Sequence, residues 1–109
     1  MKKFVAIYHM PADAQAEAAK STPEEREESM KEWYAWKERI GSSLVDFGAP
    51  LTAGKNLSPN GASDSGSDVA GYSIVQAEDL DSARQLFDNH PHLGWNASCN
   101  IELFETIDM

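Results

Sequence analysis

The segment Phe4-Val5-Ala6-Ile7-Tyr8-His9 has the β-branched and aromatic character of a strand, yet its alternation leaves no wet face. Phe4, Ala6 and Tyr8 point one way and Val5, Ile7 and His9 the other, and both sets are apolar apart from the terminal histidine. Val69 to Ala77 repeats the pattern, with Val69, Gly71, Ser73 and Val75 on one face and Ala70, Tyr72, Ile74 and Gln76 on the other. Strands of this kind need cover on both sides. Helices of the same chain can cover one of them, so the other requires a second apolar surface, most simply the same sheet of another copy.

The rest of the chain supplies the helices. Thr22-Pro23-Glu24-Glu25 is a helix start in which Thr22 caps, Pro23 suits the first position and Glu25 completes a capping box. Met30, Trp33, Lys37, Ile40 and Leu44 then recur at three- and four-residue spacing, which predicts a long amphipathic helix stopped by Gly48-Ala49-Pro50, or earlier by Gly41. Ala12 to Lys20 reads as a loop or a short helical turn. Leu51 to Leu57 is the expected second strand, and Ser58 to Asp68, built almost wholly of Ser, Gly, Asn, Asp, Ala and Pro, the most mobile internal segment. Asp79 caps a second helix carrying Leu80, Ala83, Leu86 and Phe87, which Pro91 ends, leaving His90 extended or in a turn. Ser98 to Ile107 closes the chain as a strand. The order strand, helix, strand, strand, helix, strand predicts an α+β fold: a ferredoxin-like βαββαβ plait, its antiparallel sheet covered by two helices on one face.

A chain of 109 residues can build one core but not two, so residues 1–109 are expected to form a single domain. Eighteen Asp and Glu against nine Lys and Arg give a net charge of -9, which repels phosphate backbones and anionic membrane surfaces and argues against nucleic-acid and membrane partners. The apolar run after Lys2-Lys3 is too short for a signal peptide. The single cysteine, Cys99, has no partner for an internal disulfide and fits a cytoplasmic protein; its apolar strand neighbours suggest a buried small residue rather than a nucleophile.

Several stretches together resemble the YCII-related family: Tyr8-His9, Trp33-Tyr34-Ala35-Trp36, Val45-Asp46-Phe47-Gly48-Ala49-Pro50, Gly71 to Ala77 followed by Leu80-Asp81-Ser82-Ala83, and Pro91-His92-Leu93. The resemblance covers most of the chain. It implies a subunit of the dimeric α/β-barrel superfamily that pairs through its sheet as a homodimer, and it implies no particular activity. Some members carry a suspected His and Asp pair, the His on the first helix and the Asp before the proline that ends the second. Here Thr22 to Phe47 holds no histidine and the residue before Pro91 is His90, so that pair does not carry over. An Asp-Gly-Pro-Phe motif of another branch is replaced by Asn60-Gly61-Ala62-Ser63.

Histidine is the side chain best suited to proton transfer near neutral pH, which makes His9, His90 and His92 the candidate catalytic residues, placed where a ligand carboxylate or carbonyl could meet an imidazole. A three-histidine metal site would need all three to converge and lacks a recognised spacing, so no metal is expected. Trp33, Tyr34 and Trp36 cannot share one helix stripe; Trp33 is assigned to the core, and Tyr34 and Trp36 to a pocket wall or subunit contact. Tyr72 is a further candidate ligand contact. Asp46 either contacts a ligand or hydrogen-bonds the turn at Gly48. No phosphate-binding glycine loop or nucleophile elbow occurs, so no cofactor is expected. Two functions remain open: a small-molecule-binding protein acting as a cofactor-independent enzyme through histidine proton transfer, or a non-catalytic dimeric module that binds a metabolite or a protein.

Overall fold

A computed structural model describes the chain from Met1 to Met109. Strand β1 (Lys2–His9) leads to the short helix α1 (Ala12–Ala18) and then to α2 (Pro23–Ile40). The α2 start is the capping box read from the sequence: Thr22 Oγ1 accepts from the Glu25 N–H at 3.1 Å, and the Glu25 carboxylate accepts from the Thr22 N–H at 3.3 Å. Its end is earlier than the apolar spacing suggests. Gly41 takes φ of +55°, a conformation glycine adopts without strain, and the chain leaves α2 through a 3-10 turn over Gly41–Ser43.

Leu44, expected as the last turn of the helix, is instead the first residue of strand β2 (Leu44–Pro50). The expected strand Leu51–Leu57 is correspondingly displaced. After a turn the chain forms a separate hairpin of β3 (Lys55–Ser58) and β4 (Gly61–Asp64), paired from Lys55↔Asp64 to Ser58↔Gly61 with every residue exposed. Half of the stretch expected to be mobile is thus regular structure. Pro59-Asn60 makes its two-residue turn, and Gly61 follows at φ of +130°.

Strand β5 (Val69–Ala77) and helix α3 (Leu80–Gln85) follow, Asp79 Oδ1 accepting from the Ser82 N–H at 2.8 Å. Pro91 does not end α3, which stops at Gln85. It opens a further short helix, α4 (Pro91–Gly94), because its fixed φ suits a first helical position. Strand β6 (Asn100–Glu105) completes the chain. The four long strands order as β2-β5-β1-β6, every neighbouring pair antiparallel, which is the ferredoxin-like plait.

The two strands with apolar residues on both faces, β1 and β5, are the central pair. On the helix side Phe4, Ala6, Tyr8, Val75 and Ala77 meet Trp36 from α2, Ala83 from α3 and Phe87 just beyond it. On the other face Val5, Ile7, Tyr72 and Ile74 are only half buried, and Phe104 of β6 is 52% exposed.

Gly48 is where β2 comes closest to β5. Its φ is +79°, and a Cβ built there would lie 1.8 Å from the Tyr72 carbonyl oxygen, so both backbone conformation and space demand glycine. Gly48→Ala is expected to cost at least about 2 kcal/mol of unfolding free energy in denaturant titrations. A loss below about 0.5 kcal/mol, the range of a neutral surface substitution, would mean that β2 does not hold this register against β5.

Candidate functional site

A cavity of about 730 Å³ opens between the N-terminal half of α2, the ends of β2 and β5, and α4. Its apolar walls are Trp33, Phe47, Trp95, Met10 and Met30, and Tyr8 and His92 reach it from below. The acidic face of α2 contributes Glu24, Glu25, Glu28 and Glu32, with Arg26 the one basic residue beside them.

Beneath the cleft runs a buried chain of hydrogen bonds. Ser73 Oγ donates to the Phe47 carbonyl at 2.8 Å, so the Tyr8 hydroxyl donates to Ser73 Oγ, also at 2.8 Å. His90, wholly buried, is the N-cap of α4: its Nδ1 accepts the His92 N–H at 3.0 Å. The neutral ring therefore carries its proton on Nε2, which approaches the Tyr8 oxygen at a long 3.5 Å. Rings enclose His90 on several sides: Trp33 and Trp36, each 4.5 Å away between centroids, Tyr8 at 5.3 Å and Phe87 at 5.7 Å.

The loop that delivers His90 is fastened to α2, whose Trp36 Nε1 and Arg39 guanidinium donate to the carbonyls of Leu86 and Asp88 at 2.8 and 2.7 Å. Asn89, at φ of +58°, then turns the chain inward.

Burial sets the charge states. His90 is pushed down to about 3, first by loss of water and then by the neighbouring His92 and Arg39 charges. Burial also lowers His92, against the pull of the His9 and Asn100 carbonyls. Tyr8 is pushed up to about 12 by burial, which its bond to Ser73 partly offsets. Near neutral pH the floor is thus a phenol and one uncharged imidazole, with the uncharged His90 ring behind them. His92 Nε2 donates to the His9 carbonyl at 2.8 Å, which leaves Nδ1 as the basic nitrogen of that ring. A carboxylate or carbonyl would find no donor on His92 in this state, contrary to the expectation from sequence.

The histidines do not converge. His92 borders the cleft, and His90 lies behind Tyr8 and Trp33. The His9 side chain stands on the opposite face of the sheet, its Nδ1 2.6 Å from Asp68 and its Nε2 2.6 Å from Glu102. Two carboxylate partners hold His9 above its ordinary pKa, the Asp68 hydrogen bond most of all.

Among the proposed ligand contacts, Trp36 is 2% exposed and belongs to the core, while Trp33, assigned to the core, forms the cleft wall. Tyr34 is 52% exposed beside Phe47, its ring centroid 5.9 Å away, outside the cleft. Asp46 Oδ1 accepts from the Gly48 N–H at 2.8 Å and shapes that turn. Tyr72 edges the cleft from a strand position on the helix-free face. Tyr8 and Ser73 were not singled out as a pair, although two hydroxyls at inward positions of otherwise apolar strand faces are the signal that would have found them.

Sheet order and helix placement together define a ferredoxin-like plait. A solved structure of 5-chloro-2-hydroxyhydroquinone dehydrochlorinase from Burkholderia phenoliruptrix, in complex with 2,5-dihydroxybenzoquinone, has this fold. It matches with a TM-score of 0.52 at 18% identity, over 92% of this chain and 90% of that one. No protein-family model matches the chain, and no curated protein does.

The burial of neutral His90 predicts an acid limit to stability. The unfolded histidine titrates near 6.5 and the folded one near 3, so stability is complete above pH 6.5 and falls as pH drops through that window. The expected loss by pH 3 is on the order of 5 kcal/mol. His90→Gln, which cannot titrate, is expected to flatten this part of the pH profile in urea unfolding; an unchanged slope would assign the acid sensitivity to other groups.

Proposed function

We propose that the protein binds a small, mostly apolar, ring-sized molecule in this cleft, and that His92 acts there as a cofactor-independent proton acceptor. The observation that carries the reading is His92 itself. It is 5% exposed, it lines a cavity walled in part by Trp33, Phe47 and Trp95, and its Nε2 is committed to a backbone carbonyl so that Nδ1 is the basic atom. His90 is a positioning residue in this scheme, because its Nδ1 holds the backbone N–H of His92. Tyr8, kept protonated by burial, supplies the lower wall and is not a second base. The dihydroxybenzoquinone bound by the structurally similar dehydrochlorinase is a ring of the size the cleft would take.

A non-catalytic binding module is the rival reading, and one contact favours it. His92 Nε2 faces a peptide carbonyl and not a carboxylate, so an imidazolium formed during turnover would gain little stabilisation from its partner. Screening hydroxylated and amino-substituted aromatic compounds by tryptophan fluorescence, with Trp33 and Trp95 as reporters, separates the two. Under the enzymatic reading, His92→Ala retains binding within a few-fold and lowers turnover by about a hundredfold or more. Binding without turnover in either protein would favour the module. Absence of binding would remove both.

We further propose that the helix-free face, with Val5, Ile7, Tyr72, Ile74 and Phe104, packs against the same face of a second copy, and that the pair is cytoplasmic, where the unpaired Cys99 stays reduced. Light scattering at micromolar concentration is expected to give twice the chain mass, and Ile74→Glu to give a folded monomer by burying a charge in the contact. A monodisperse wild-type monomer would refute the pairing.

A further inference from the structure

We infer that the cleft selects a hydrogen-bond-donating organic cation, a protonated amine carried on an aromatic or similarly flat apolar body. The inference rests on the cleft being the binding site, as proposed above, and adds the class of molecule it takes. Two independent features point to it.

The first is the direction of the hydrogen bonds at the floor. Ser73 spends its proton on the Phe47 carbonyl, Tyr8 spends its own on Ser73, and His92 spends the Nε2 proton on the His9 carbonyl. The protons of Ser73, Tyr8 and His92 are thus all consumed inside the protein. What remains for a ligand on the buried His92 is the Nδ1 lone pair, which takes an N–H or O–H and offers nothing to a carboxylate or a quinone oxygen.

The second is the charge of the mouth against the character of the walls. Glu24, Glu28 and Glu32 recur at four-residue spacing and so share one side of α2 along the opening. Glu25 adds a fourth carboxylate, tied into the capping box, and Glu28 is 2.9 Å from Lys31 on the same helix. Against these acids the cleft sets only Arg26, and the chain as a whole carries -9. Below the acids stand the rings of Trp33, Phe47, Trp95 and Tyr8, whose area takes a flat apolar body; the two indoles are the strongest cation-attracting rings among them, and Phe47 already has Lys37 Nζ 5.5 Å from its centroid. An anion would have to pass the carboxylates and then meet, at His92, a ring nitrogen that can only accept. A protonated amine is favoured at each step.

A matched series tests this: naphthylmethylamine, its trimethylammonium analogue, naphthylmethanol and naphthoate, titrated at pH 7.5 against the indole resonances of Trp33 and Trp95. The amine is expected to bind about tenfold or more tighter than the alcohol, and naphthoate weakest of all. That advantage should shrink as salt rises. The combined variant Glu24→Gln, Glu28→Gln, Glu32→Gln should bring the amine down to the alcohol while leaving the alcohol unchanged. His92→Phe should erase the preference for the amine over its trimethylammonium analogue, which has the charge but no N–H. If naphthoate or the alcohol binds as well as the amine, or the triple variant keeps the discrimination, the inference falls and the cleft reading stands. If none of the four binds, both fall.

Discussion

Four segments far apart in sequence meet at the Tyr8 hydroxyl. The phenol leaves β1 on the core side, donates to Ser73 of β5, and through Ser73 reaches the Phe47 carbonyl of β2; its oxygen in turn faces His90 from the loop before α4. Each polar atom is buried, and each is satisfied by the next. A buried hydroxyl or imidazole without a partner costs a few kcal/mol, so the strands and the loop hold their relative positions for one another's sake. The cleft depends on this arrangement because Tyr8 and Phe47, two members of the network, line it.

The three histidines show how local surroundings divide one residue type among three roles. His90, enclosed by rings, is neutral and structural, and its depressed pKa withdraws stability as pH falls below 6.5. His9, between two carboxylates on the opposite face, has the reverse sign. Its contribution is complete below 6.5 and is lost as pH rises through its elevated folded value. His92 lies between these extremes, buried enough to stay uncharged and open enough to line a cavity. The stability of the chain is thus confined from both sides by residues that do not enter the cleft.

The alternation of Phe4 to His9 and Val69 to Ala77, the Thr22–Glu25 box and the Asp79 cap were legible because each depends on a few neighbouring residues, and with them came the plait. The end of α2 was legible only as two alternatives, Gly41 and Gly48-Ala49-Pro50, since the apolar spacing runs on through Ile40 and Leu44, and the structure takes the earlier. The departure lies in the backbone of Gly41, a residue equally compatible with either outcome. Trp33 and Trp36 exchanged roles for a similar reason. Their positions differ by most of a helical turn, and which one faces the sheet is decided by where α2 docks, fastened by Trp36 to the Leu86 carbonyl. His90 beside Pro91 reads as extended or in a turn, and it is extended, but nothing local marks it as buried. Its burial follows from Asn89 turning inward and from the short helix that Pro91 starts, neither of which has a period to detect.

His9 ties the two faces of the sheet together. Its carbonyl accepts the proton of His92 on the cleft side, while its imidazole on the far side is clamped by Asp68 from the start of β5 and Glu102 from β6. The β1–β5 register shifts between Tyr8 and His9, so the backbone here is irregular. The peptide plane whose oxygen fixes the His92 tautomer is nevertheless held, because its Met10 N–H donates to the Asp68 carbonyl at 2.8 Å. The orientation of the one basic nitrogen in the cleft is therefore set at the end of β1, which Asp68 braces twice, with its carbonyl on the peptide and its carboxylate on the imidazole.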